Sequence, residues 1–198
     1  MKKLLLTGFE PFGGESVNPS WEAVSRAAAE GFEVRKVCLP VTFDGAAQRI
    51  CEEIRSFDLD ALVMVGQAGG RKGVTVERVA INLADARIPD NAGAQPEDAP
   101  LAENAPAAYF SPLPTREMVR AITEQGIPAA LSYSAGTYVC NCVLYHALHL
   151  LKTEGRKGQA AFIHVPFETA QVEKRPEMPS MPLETMVRAL EAALQVLR

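Results

Sequence analysis

The sequence predicts an α/β protein built on a mainly parallel sheet, covered by helices on both faces. Three observations carry this prediction. Short apolar runs alternate with amphipathic helical patterns along the whole chain. Runs such as Ala61-Leu62-Val63-Met64-Val65 are apolar throughout, as strands buried on both faces are. The intervals between runs are long enough to hold a crossover helix, which parallel pairing requires. The 198 residues fit one domain, so residues 1–198 are read as a single unit.

Leu4-Leu5-Leu6 reads as the first buried strand, ended at Gly8, with a helix from Pro19-Ser20 to about Glu30. Val34 to Val41 reads as the second strand. Asp44 to Phe57 carries Ala46, Ile50 and Ile54 at helical spacing. Ala61 to Val65, closed by Gly66, is the best candidate for a central strand. Thr115 to Gln125 reads as a helix and Pro128 to Tyr133 as a strand. Val139 to Lys152 is a strongly apolar helix, stopped by Gly155. Ala160 to Val165 is a short strand, turned by Pro166. In the last helix Leu183, Met186, Val187, Leu190, Leu194 and Leu197 share one face, with Pro182 near its first turn. One segment breaks the rhythm. Residues 87–114 hold Pro89, Pro96, Pro100, Pro106, Pro112 and Pro114 with Asn91 and Gly93, and read as a long irregular loop that is either functional or a surface insertion.

Composition narrows the class. Hydrophobic residues make up 47% and charged residues 22%, near globular averages, so a core can form without staples. Net charge is −4 and no basic block occurs, which speaks against nucleic acid as a partner. No apolar stretch reaches the roughly 18 residues of a membrane span. The apolar run at the N-terminus stops at Thr7-Gly8, too short for the core of a secretory signal. The four cysteines are too few for a disulfide scaffold and fit reduced thiols in the cytosol.

Several groups of residues are candidates for chemistry. Thr7-Gly8-Phe9-Glu10-Pro11-Phe12-Gly13-Gly14 is a glycine-rich turn after a strand, yet it matches neither phosphate-binding pattern, and Pro11 and two phenylalanines sit where a phosphate needs free amides. Phe9 and Phe12 read instead as walls of a small apolar pocket, or as ordinary core. In Ser134-Ala135-Gly136-Thr137-Tyr138-Val139-Cys140-Asn141, Cys140 lies near a helix N-terminus, where amides and macrodipole favour a thiolate and can hold an oxyanion. A small buried hydrophobe fits that position equally well. His164, in Phe162-Ile163-His164-Val165-Pro166, closes a buried strand and is either a general base or structural. Glu77 sits among β-branched residues and either orients His164, lies on an edge strand, or pairs with Arg78. Cys142, His146 and His149 share one helical face and offer a competing zinc site, although catalytic zinc usually draws a ligand from elsewhere. Cys140 and Cys142 stand about 200° apart on that helix and cannot serve one site together. Two other classes therefore stay open: a nucleotide- or phosphate-binding protein and a zinc-dependent hydrolase.

Together these blocks resemble pyroglutamyl peptidase type I, a family of cysteine peptidases. The stretch Gly66-Gln67-Ala68-Gly69-Gly70-Arg71 through Glu77-Arg78-Val79-Ala80-Ile81-Asn82 resembles its glutamate signature. Ser134 through Asn141 resembles its cysteine signature and Phe162 through Pro166 its histidine segment. Thr7 through Gly14, followed by Asn18-Pro19-Ser20, and Asp85-Ala86-Arg87-Ile88-Pro89-Asp90-Asn91 match two further segments. The resemblance runs to about residue 166. It implies a three-layer α/β/α sandwich, a cytoplasmic location, a homo-oligomer (tetramer or dimer), no cofactor and no metal. The implied substrates are peptides with an N-terminal pyroglutamyl residue, cleaved through a thioester. Cys140 falls on the family's nucleophile, His164 on its base and Glu77 on its third member. Phe9 and Phe12 fall on its lactam pocket, and Gln67 and Arg87 on motif positions near its site.

Overall fold

The computed structural model describes residues 1–198. The chain opens with β1 (Lys2–Phe9), α1 (Pro19–Arg26), β2 (Phe32–Leu39), α2 (Phe43–Phe57) and β3 (Ala61–Gln67). β4 (Val74–Glu77), β5 (Val79–Ile81), β6 (Ala108–Phe110), α3 (Thr115–Glu124) and β7 (Ala129–Ser132) form the middle. α4 (Val139–Thr153), β8 (Gln159–Val165), β9 (Phe167–Glu168), a 3-10 turn (Thr169–Val172), β10 (Ser180–Met181) and α5 (Leu183–Gln195) complete it.

Six strands make one sheet in the order β2-β1-β3-β8-β4-β7. β1, β2, β3 and β8 run parallel, while β4 lies antiparallel to β8 and parallel to β7. The strands' continuous apolar runs follow from burial on both faces, since alternate residues feed two separate cores. Leu5, Leu62, Met64 and Phe162 pack under α2 and α4. Leu4, Leu6, Val63, Val65, Ile163 and Val165 pack under α1, α3 and α5. This is the three-layer sandwich that the sequence implies. No helix is long and apolar enough to cross a membrane.

Three local readings need correction. α1 ends at Arg26, not near Glu30, although the alanines that follow favour a helix. Tertiary contacts override that propensity: Ala28 N–H donates to the Glu191 carboxylate of α5 (2.9 Å), and Lys36 Nζ donates to the carbonyls of Ser25 (2.9 Å) and Ala27 (2.8 Å). The proline-rich segment is not irregular throughout, because its residues 108–110 form β6, antiparallel to β5. Nor is β4 an edge strand. It pairs with β8 on one side and β7 on the other, so Glu77 is fully buried.

Candidate active site

The strand alternation that divides the two cores also places the polar groups. Phe162 and His164 on β8, and Thr75 and Glu77 on β4, are register partners across the antiparallel pair. His164 Nδ1 and Glu77 Oε1 are 2.8 Å apart, and both side chains are essentially out of solvent. Arg71 Nη1 donates to the same carboxylate oxygen (2.6 Å) and to the Thr75 hydroxyl, and its Nη2 reaches the Ser134 carbonyl (3.1 Å). Glu77 therefore pairs with Arg71 and His164. The partner expected from the sequence, Arg78, instead reaches the Ser111 carbonyl and lies over the Phe110 ring. Burial alone would raise the Glu77 pKa, but His164, with smaller contributions from Ser132 and Arg71, outweighs it and holds the carboxyl below its usual range. Burial pushes the His164 pKa down; Glu77 partly opposes this and Arg71 adds to it. The imidazole is thus neutral near pH 7, with Nε2 as the acceptor when Nδ1–H faces the carboxylate.

Cys140 arrives from the other side, on the first turn of α4. Tyr138 caps that helix without a side-chain hydrogen bond, and no acidic residue lies in the first turn. The backbone bonds begin at Cys142 N–H to Tyr138 O (3.1 Å), so the amide of Cys140 has no intrahelical partner. The thiol fills the space above Gly66: a Cβ added there would lie 2.8 Å from Cys140 Sγ and 2.8 Å from Phe162 Cζ. Gly66 is the register partner of His164 on the neighbouring strand, which sets the sulfur beside the imidazole's strand. Burial and the Glu77 charge push the thiol pKa up to about 12, against the lowering effects of Arg71 and the residue's own amide. Desolvation therefore outweighs the helix terminus, and the resting form is the thiol.

A cavity of about 640 Å³ opens over these groups at the carboxyl ends of the parallel strands, where α/β sheets bind ligands. Phe9, Phe12, Gln67, Arg87, Cys140 and His164 all line it. Phe9 is buried, belongs to the core and lines the cavity as well. Phe12 packs against Tyr138 (ring centroids 6.3 Å), and Tyr138 edges onto Phe43 (5.4 Å). Arg87 is exposed, on a segment pinned to the helix approach by Asp85 N–H to Thr137 O (3.0 Å) and by the Tyr138 hydroxyl to Pro89 O (3.0 Å). The buried Asn141 amide ties that segment to α4, accepting from Ile81 N–H (3.0 Å) and donating to the carbonyls of Ile81 (2.9 Å) and Leu83 (3.1 Å).

The zinc alternative fails on geometry. Cys142, His146 and His149 do not come together as a metal-binding group. Cys142 is buried against the Phe43 carbonyl (3.7 Å), and His149 Nδ1 is engaged by the Tyr109 hydroxyl (2.8 Å).

The pyroglutamyl peptidase family model matches residues 2–198. The chain belongs to the pyroglutamyl peptidase family. It is 50% identical over 196 residues to the pyrrolidone-carboxylate peptidase of Thermococcus kodakarensis, covering 98% of this chain and 95% of that protein. It is 49% identical over 190 residues to the pyrrolidone-carboxylate peptidase of Enterococcus faecalis, covering 95% and 89%. The crystal structure of pyroglutamyl peptidase I from Bacillus amyloliquefaciens superposes with a TM-score of 0.94 at 43% identity, covering 98% of this chain and 95% of that one.

Membership of the pyroglutamyl peptidase family extends to the C-terminus, beyond the residue 166 at which the motifs recognisable by eye stop. Four cavity or near-cavity residues had no role in the sequence reading: Gly66, Arg71, Tyr138 and Phe167. Arg71 and Gly66 lay inside a recognised motif, but no spacing rule tells which motif residues meet in space. Tyr138, two residues before Cys140 at a helix cap, carried a weak positional signal. Phe167 carried none.

Proposed function

We propose that the chain is a cysteine peptidase that releases an N-terminal pyroglutamyl residue from peptides, with Cys140 as nucleophile, His164 as acid–base group and Glu77 as its orienting partner. The observation that carries this reading is the buried Glu77–His164 pair beside a thiol at an uncapped helix N-terminus, all beneath one aromatic-walled cavity. Because the thiol rests protonated, neutral His164 accepts its proton as sulfur attacks the pyroglutamyl carbonyl. The Cys140 amide and the exposed Arg87 guanidinium are the donors available to the oxyanion. His164 then gives the proton to the leaving amine, leaving a thioester. It next takes a proton from water, whose oxygen attacks the thioester, and returns that proton to the departing sulfur. Glu77 stays ionised and fixes the imidazole, with Arg71 holding the carboxylate in place.

The pyroglutamyl group has no free ammonium, so its pocket needs no carboxylate. Phe9, Phe12 and Tyr138 suit a flat neutral ring. Gln67 supplies polar recognition that a prolyl residue, lacking the lactam carbonyl, leaves unpaired. Release of a fluorescent amine from pyroglutamyl, prolyl and alanyl arylamides tests this. Turnover of the pyroglutamyl compound alone is expected; equal turnover of the prolyl compound would overturn the specificity.

The same reading takes residues 1–198 as one functional unit in the cytoplasm, which fits four unpaired cysteines. It also takes the chain as a homo-oligomer, a tetramer or dimer. The exposed apolar Phe110 and Ile88 support association, and sedimentation velocity at micromolar concentration checks it, a purely monomeric species being the contrary result.

A further inference from the structure

One end of the cavity is not used by the chemistry above. The aromatic end belongs to the α2/α4 side, where Phe9, Phe12 and Tyr138 pack with that core. Another part of the wall is built by residues 167–175, which follow His164 closely in the chain and of which Phe167 and Arg175 line the cavity. There the Phe167 ring lies against Gly69, at a place where any Cβ would collide with it. The Arg175 guanidinium sits over the same ring, 5.1 Å from its centroid. Arg175 is in turn paired with Glu15 (2.7 Å), and its Nη2 donates to the Gln171 carbonyl (3.0 Å).

The wall is braced from behind. Gln171 Oε1 accepts from the Glu168 amide (2.9 Å), which fixes its Nε2 as the donor to Gln67 Oε1 (3.0 Å) and to the Val17 carbonyl (3.1 Å). Phe167 forms no ring pair with Phe9, Phe12 or Tyr138, and its ring is set instead against Gly69 and under Arg175. It is half-buried and lines the cavity. A five-membered lactam fills only a fraction of the 640 Å³.

We propose that Phe167, seated on Gly69 and held by Arg175, forms the subsite for an apolar side chain on the residue that follows pyroglutamate. The inference rests on the peptidase reading of this cavity. With the acyl group against Phe9, Phe12 and Tyr138 and His164 protonating the leaving nitrogen, the leaving residue emerges beside His164, and Phe167, at the start of the next strand, lines the same cavity. Arg175 is paired with Glu15, so the charge beside the Phe167 ring is balanced within the wall. Apolar and aromatic side chains gain contact there; glycine gains none.

The test compares kcat/KM for pyroglutamyl-phenylalanine amide and pyroglutamyl-glycine amide in the full chain and in Phe167→Ala and Phe167→Leu. Inhibition by 2-pyrrolidone, which occupies only the lactam slot, is measured alongside. The expected result is that Phe167→Ala reduces the preference for phenylalanine over glycine about tenfold, that Phe167→Leu restores most of it, and that the inhibition constant moves less than about twofold. An unchanged preference places the leaving residue elsewhere and overturns the subsite. An equal loss on both substrates with a weakened inhibitor makes Phe167 a structural support, which also overturns it. Absence of turnover of either amide by the unmodified chain would instead overturn the peptidase reading, and the subsite with it.

Discussion

At the scale of single residues, the decisive contest is over the charge on Cys140 and His164. A thiol at a helix N-terminus is usually activated by its amides, yet here burial and Glu77 dominate and the thiol is pushed up to about 12. His164 is pushed the other way, below the ordinary imidazole value of about 6.5, by burial first and by Arg71 in addition. The resting pair is therefore neutral, and under the proposed mechanism the acid limb of kcat/KM against pH is expected to report the protonation of His164. That limb is expected below pH 6.5 or so. Arg71 disfavours the imidazolium, so Arg71→Met raises the His164 pKa and moves the limb to higher pH. It also lowers kcat, because the thiolate loses a nearby cation. A pH–rate profile of the variant checks both; a limb that stays put or moves down would show that Arg71 acts only as scaffold. Position alone makes Cys140, in the first turn of an apolar helix, and His164, near the close of a buried strand, candidates beside structural readings, and the resemblance to the family selects them. The sequence could not reveal Arg71, whose role depends on a loop returning over β4.

At the scale of elements, two small features join the strands to α4. Gly66 leaves the space that Cys140 Sγ fills against Phe162. Gly66→Ala forces a Cβ into that space, so it should displace the thiol and cost about 1–3 kcal/mol in overpacking. The expected outcome is a folded protein with a lower Tm and little turnover; full activity would contradict the close approach. Asn141 satisfies three backbone groups of the segment after β4. Asn141→Leu leaves them unpaired and should cost roughly 3 kcal/mol, or about 8 °C in a thermal melt. A shift under a degree or two would remove Asn141 from that role. These links were not legible in the sequence, since one asparagine in an apolar helix reads as a neutral helical residue. Helix and strand cores were legible from periodicity, with errors where tertiary contacts intervened. α1 stops early because Glu191 and Lys36 take its backbone groups, and β6 was hidden among prolines because its three residues are too short for a pattern.

At the scale of the whole molecule, the continuous apolar strands made the two-faced sheet readable, since each run must feed two cores. The reversal of β4 was not readable, because nothing in Val74-Thr75-Val76-Glu77 encodes direction. That reversal sets Glu77 within hydrogen-bond reach of His164 on β8 and has a thermodynamic consequence. Both His164 and Glu77 have lowered pKa values in the fold. A lowered pKa means the unfolded chain binds protons more readily than the native one. The stabilising contribution is therefore full above the unfolded values and is lost as pH falls through the folded ones. Stability should start to decline below about pH 6.5 through His164, and further below about 4.3 through Glu77. Urea melts at stepped pH check this, with His164→Gln expected to flatten the decline between roughly pH 5 and 6.5. An unchanged slope in that variant would assign the pH dependence to other groups.

Trapping a thioester between Cys140 and the pyroglutamyl group is the most direct test of the proposed mechanism. Rapid acid quench during turnover of a pyroglutamyl arylamide, followed by intact-protein mass spectrometry, should show a fraction of chains heavier by one pyroglutamyl group. The adduct and the turnover should both vanish in Cys140→Ala and both persist in Cys142→Ala. Turnover that survives in Cys140→Ala, or an adduct that follows Cys142, would contradict the account.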